Sequence, residues 1–205
     1  MNNRTIKNIT ISVIGLWFLA SLVAGYFGFF IQRSGPPTHL ALFFLPSVIG
    51  FISTYLLSKK FRRFTKTIPL YFLVGAHIWR FVGLGFVLGW AVYHVLPAGF
   101  SIPEGFGDII AAAGALPLAI ALYKGKNVKR WLVIWNTFGL IDLISAITVG
   151  ILYSVGPLGI LVHGGLTTKP LITFPINLIP TFFVPFFILV HLLIYKRIND
   201  IKFKS

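Results

Sequence analysis

Six runs of apolar residues, spanning about 9–31, 39–57, 68–96, 108–123, 131–154 and 171–195, dominate this chain of 205 residues. A helix that crosses the hydrocarbon core of a bilayer needs about 20 apolar residues. Only the fourth run falls clearly short of that, and the third is long enough to tilt or overhang. The predicted fold is therefore all-α: a polytopic transmembrane helical bundle of six spans forming one domain over 1–205. Charged residues make up 11% of the chain, against about 25% in soluble domains. Too few polar side chains exist to clothe this chain in water, and the lipid bilayer is its expected first partner.

The breaks between runs are rich in turn formers. Pro97 to Gly107 holds Gly99, Pro103 and Gly105 and predicts a loop, with Asp108 as the N-cap of a short fourth span. The basic residues set the orientation. With the N-terminus in the cytoplasm, Arg4, Lys7, Lys59, Lys60, Arg62, Arg63, Lys66, Lys124, Lys126, Lys129, Arg130, Lys196, Arg197, Lys202 and Lys204 all lie inside, and only Arg33 and Lys169 lie outside. That asymmetry predicts that both termini are cytoplasmic. It also accounts for the net charge of +14 without a nucleic-acid partner, since no basic residue sits in a nucleic-acid-binding motif. The first run is too long for a signal-peptide core and lacks an A-x-A-like site, so it is expected to be a retained helix. In the last run, Pro170, Pro175, Pro180 and Pro185 recur every five residues and predict a bent helix that packs or lines a cavity. The chain has no cysteine, which excludes disulfides, thiolate metal sites and a cysteine nucleophile.

Charges inside apolar spans cost at least about 2.5–3.5 kcal/mol and mark candidate sites. Arg80 lies twelve residues beyond Ile68, and Asp142 eleven beyond Trp131. At 1.5 Å per residue both sit roughly 16–18 Å from the cytoplasmic end, a depth match that predicts an ion pair. His77 shares a face with Arg80. Asn136 and His191 lie in the same half of the bundle and, with Trp79 and Trp135, are expected to line a polar pocket. Arg80, Asp142, His77 and Asn136 are thus the candidate ligand- or ion-binding set.

Two cofactor chemistries can be set against this sequence. His94, Glu104, Asp108 and His163, with His39, collect on the outer side as candidate metal ligands, although their spacing is scattered and no two of the histidines are spaced i, i+4. His77 and His191 are the best pair for the axial ligands of one b-type haem. A second haem is not expected, because His77 and His94, seventeen residues apart, lie about 100° apart on a helix. Gly105-Phe106-Gly107-Asp108 contains the G-x-G-D string of intramembrane aspartyl proteases. The likeness covers four residues, the second aspartate comes later in the chain rather than earlier, and the two are expected at different depths, which argues against a shared proton.

Pro97-Ala98-Gly99-Phe100, Pro103-Glu104-Gly105-Phe106-Gly107-Asp108, Trp135-Asn136, Gly139-Leu140-Ile141-Asp142-Leu143 and Phe174-Pro175 together resemble a group of small six-helix bacterial membrane proteins, over about residues 77–195. The resemblance implies a bacterial inner-membrane location and carries no implication about activity. Four functions stay open from the residues. One is a small transporter or carrier built on the polar site. Others are a haem-linked redox protein, or an accessory subunit whose polar residues only specify packing; with six spans, a homo-oligomer is an open partner for any of these. The last is an enzyme acting on a lipophilic substrate with Asp142 or a histidine as base.

Overall fold

The computed structural model describes residues 2–32, 37–162 and 165–198. Arg33, His163, Lys202 and Lys204 lie outside the described residues, and with them the metal role of His163 and part of the charge count. Among the described residues the chain forms seven helices: α1 (Asn3–Tyr26), α2 (Thr38–Leu57), α3 (Lys59–Thr67), α4 (Leu70–Ala91), α5 (Ala98–Tyr123), α6 (Lys129–Leu152) and α7 (Ile179–Ile198). All except α3 are long and apolar enough to cross a membrane. No strand is present among these residues.

Several expected boundaries move. The first helix begins at Asn3 rather than Ile9, because the Asn2 side chain accepts a hydrogen bond from the Thr5 amide (2.9 Å) and caps it. The basic break after α2 is itself helical. Ser58 caps α3 by accepting from the Phe61 amide (3.2 Å), and Phe64 and Thr65 are buried while the lysines face outward. Arg62 Nη1 donates to the Tyr55 carbonyl (2.8 Å), closing the end of α2, whose last carbonyls have no helical partner.

The largest correction concerns Pro97–Gly107, which is not a loop. Helix α5 starts at Ala98, with the Pro97 carbonyl accepting from Ser101 (2.9 Å), so Asp108 stands well inside a helix and caps nothing. The glycines that read as breaks are points of close helix contact. A Cβ on Gly105 would lie 2.9 Å from the Gly83 carbonyl oxygen, and one on Gly83 would lie 2.9 Å from the Gly105 carbonyl. Small residues allow two helix backbones to approach this closely.

The proline repeat is also redistributed. Pro170 sits in a 3-10 turn (Lys169–Ile172), Pro175 precedes α7, and Pro180 falls in its opening π-helical turn, Ile179–Phe183. Of the four, Pro185 alone lies beyond that first turn. Lacking an N–H, it leaves the Thr181 carbonyl without its usual i+4 donor. The indole Nε1 of Trp17 on α1 donates there instead (3.0 Å).

The core lies among α4, α5, α6 and α7, where Val74, Ala115, Leu132 and Ile194 are fully buried. Helix α1 buries only Ile6, Ser21 and Gly25, and α2 buries nothing.

Candidate functional site

The middle of α4, Ala76–Gly83, is wound as a 3-10 helix, and its three buried residues are His77, Arg80 and Gly83. At three residues per turn, side chains at i, i+3 and i+6 eclipse one another. The winding therefore aligns all three along one edge facing α5. Helix α5 answers with Ser101, Glu104, Asp108, Ala111, Ala115 and Leu118, all buried at spacings of three and four, the signature of one helical face. Helix α6 contributes Asn136, Gly139 and Asp142, and α7 contributes His191.

Arg80 is the largest fully buried side chain, and all three of its nitrogens are engaged. Its Nε donates to Asp108 Oδ1 (2.6 Å), its Nη2 to Asp142 Oδ2, and its Nη1 to the Gly139 carbonyl (3.1 Å). The pairing with Asp142 follows the depth match in the sequence; Asp108 is the second partner that the loop reading concealed. Nη1 also approaches His191 Nε2 at 3.4 Å. Asn136 fixes that histidine from the other side. Its Nδ2 donates to the His191 carbonyl (3.2 Å), and its Oδ1 faces His191 Nδ1 at 2.8 Å. The network assigns the proton to Nδ1 and leaves Nε2 as an acceptor toward Arg80.

Glycines make this density possible. A Cβ at Gly139 would stand 2.7 Å from His191 Nε2 and 3.0 Å from Arg80 Nη1, and one at Gly107 would collide with the Asp142 carboxylate. Trp135 donates from its indole to the Ala111 carbonyl (2.8 Å) and packs against His77 and His191. Trp79 points away from the site and is 75% exposed, so it lines no pocket with them.

Three residues on these facing edges carry a polar atom without a protein partner, Ser101 through its Oγ. Neither ring nitrogen of His77 has one, and neither does Glu104 Oε2, although Ser145 Oγ donates to Glu104 Oε1 (2.8 Å). Both residues are at most 1% exposed. A buried polar group left unpaired costs about 1–3 kcal/mol, and His77 and Glu104 are the two ionisable residues among those so placed.

The remaining expectations separate. His77 and His191 are adjacent, but their ring centroids are 4.0 Å apart, in direct contact. No gap for a porphyrin lies between them, and ligation of a haem would require them to part. The outer metal set is not assembled. His94 is exposed in the α4–α5 connection with a positive φ of 51°, Glu104 bonds Ser145, and Asp108 bonds Arg80. His39 stacks on Phe29 at 4.5 Å. Among the described residues no group of three or more potential ligands converges on a point. The premise that Asp108 and Asp142 differ in depth also fails, since both reach Arg80. That guanidinium holds each of them, so they do not form a dyad sharing one proton.

Sequence reasoning missed Asp108, Gly139 and Ser145 as members of the cluster. The signal was the spacing of Glu104, Asp108, Ala111 and Ala115, one helical stripe that runs straight through the supposed loop. No curated protein and no solved structure matches the chain. Residues 36–198, from just before α2 to the end of α7, match the family described as domain of unknown function (DUF8737), and the chain belongs to that family.

Proposed function

We propose that this is a multi-pass membrane protein, with both termini cytoplasmic, whose buried cluster holds an exchangeable proton or small cation, as a small proton- or cation-linked carrier does. One observation carries the reading. Three carboxyl groups, Asp108, Asp142 and Glu104, share an interior with a single buried arginine. Arg80 can neutralise only one of them, and an uncompensated charge away from water is costly. The balance is met by protons on carboxyl groups or by a bound cation. The partnerless nitrogens of His77 and the free Oε2 of Glu104 mark where such a particle would be exchanged. The membrane orientation rests on the basic residues of α3, of the 124–130 connection and of the end of α7. The resemblance to small bacterial membrane proteins favours the inner membrane.

Infrared difference spectroscopy on the detergent-purified protein tests this, read in the carbonyl-stretch region of protonated carboxyl groups. At neutral pH a band is expected that Asp108→Asn, Asp142→Asn or Glu104→Gln shifts or removes. A protein showing neither such a band nor a bound metal ion by elemental analysis would overturn the reading. A second reading is favoured by the complete engagement of Arg80 and the glycine contacts around it: the pair serves only to dock α4, α5 and α6. In that case Asp142→Asn changes stability but leaves proton uptake by reconstituted vesicles unchanged.

A further inference from the structure

One face of α6 beyond the charge cluster borders empty space. Leu143, Ala146, Ile147, Gly150 and Ile151, with Ser154 just beyond the helix end, line a cavity of about 310 Å³ that Phe44 of α2 and Phe86 of α4 also line. Their spacing of three and four is that of a single helical stripe. From Leu143 to Ile151 the stripe runs about 12 Å along the helix, and Ser154 continues the lining just past its end. A volume of about 310 Å³ spread over that length is narrow, on the scale of one hydrocarbon chain. It lies at the low end of the range for small-molecule sites, which are mostly apolar with a few placed polar groups.

The polar groups divide between its two ends. Asp108 touches the end nearest Leu143, where Arg80 already holds its Oδ1. Gln32, Ser154, Thr168 and Lys169 border the other end. Ser154 Oγ has no protein partner, and Lys169 is exposed. An apolar slot with a cation at its mouth complements an anionic amphiphile. The reverse fit, with a head group at Asp108, would place the tail of the ligand toward the polar rim.

The geometry points to an acyl-chain site: the cavity takes the tail of an anionic amphiphile, with its carboxylate or phosphate at Lys169 and its tail directed along α6 toward Asp108. This rests on the membrane orientation proposed above, in which Lys169 lies at the outer surface, but not on proton exchange by the cluster. Free fatty acid and phospholipid share the recognised chemistry. A seated tail also covers the side of Asp108 that faces the cavity, and so shields the charge cluster from that end.

The test is photolabelling of the purified full chain in lipid nanodiscs, mapped by peptide mass spectrometry. Three diazirine-bearing probes serve: a long-chain fatty acid, a phosphatidylglycerol with the same acyl chain, and the matching long-chain alcohol. Adducts are expected on residues 143–151. Ala146→Phe should remove them, as should Gly150→Leu, whose Cβ meets nothing closer than Phe100 at 3.6 Å; two fillers guard against one that misfolds. Lys169→Glu should weaken labelling by the anionic probes about fivefold and leave the alcohol unchanged. Whichever anionic probe labels at the lower concentration identifies the source. Adducts confined to outward-facing residues such as Ile141 and Ile144, and insensitive to both fillers, overturn the acyl-chain site while leaving the membrane reading intact. Absence of adducts on any apolar helix face would instead remove the membrane reading.

Discussion

No residue in the most apolar stretch of α2 is buried, whereas 56% of that stretch in α7 is. The two ends of the chain thus associate by different means. Helices α4 to α7 meet through glycines, alanines and a charge network. Helices α1 and α2 lie outside, and α1 is attached at a few points: Trp17 to the Thr181 carbonyl, Asn177 Nδ2 to the Ser21 carbonyl (3.0 Å), and Gly25 pressed against the Asn177 side chain. The match to the family starts at residue 36 and so omits α1. The contrast teaches that apolar length, which α1 and α2 share with the rest, does not report position in the bundle. Position is carried by small and polar residues.

Three tests separate the two regions. Arg80→Leu should cost the most, about 3–5 kcal/mol, because it removes the one guanidinium that holds both Asp108 and Asp142. Equilibrium unfolding in mixed detergent micelles measures it, and adding Asp108→Asn with Asp142→Asn should restore much of the loss. Next comes a glycine pair. Gly139→Leu forces a side chain into His191 and Arg80 and should cost about 1–3 kcal/mol. Gly15→Leu on α1 or Gly50→Leu on α2, where a Cβ meets nothing within 4 Å, should stay within about 0.5 kcal/mol. Equal costs at Gly139 and Gly50 in the same assay would erase the distinction between the regions. The smallest effect belongs to Trp17→Phe, which removes one hydrogen bond to an orphaned carbonyl. A loss of about 0.6 kcal/mol is typical of such bonds, and faster proteolysis between α1 and α2 at unchanged unfolding of the core would localise it.

Element number and approximate place were legible in the sequence because a run of apolar residues declares a helix of that length. The Arg80–Asp142 pair was legible for the same reason: depth follows from counting residues along a straight helix. What stayed hidden was hidden by glycine and proline. At Gly99, Pro103, Gly105 and Gly107 the local propensity favours a turn, yet tertiary contact with Gly83 and Asp142 repays a continuous helix. Asp108 was misplaced with them. The converse error occurred at Pro170 and Pro175, where a hydrophobic run was read as helix although the chain turns there. His77 and His191 were correctly associated, but their separation is set by side-chain packing against Trp135 and Phe187, which no spacing rule contains.

The 3-10 winding of Ala76–Gly83 gives α4 the mechanics of a screw with two pitches. Eight residues rise about 16 Å as a 3-10 helix and about 12 Å as an α-helix, with a difference in rotation of about 160°. A local rewinding, with no hinge and no loop, would draw the two ends of α4 together by about 4 Å. It would also break the alignment of His77, Arg80 and Gly83 and turn the guanidinium away from one of its aspartates. The pitch of this one helix segment therefore decides how many aspartates the buried arginine can reach.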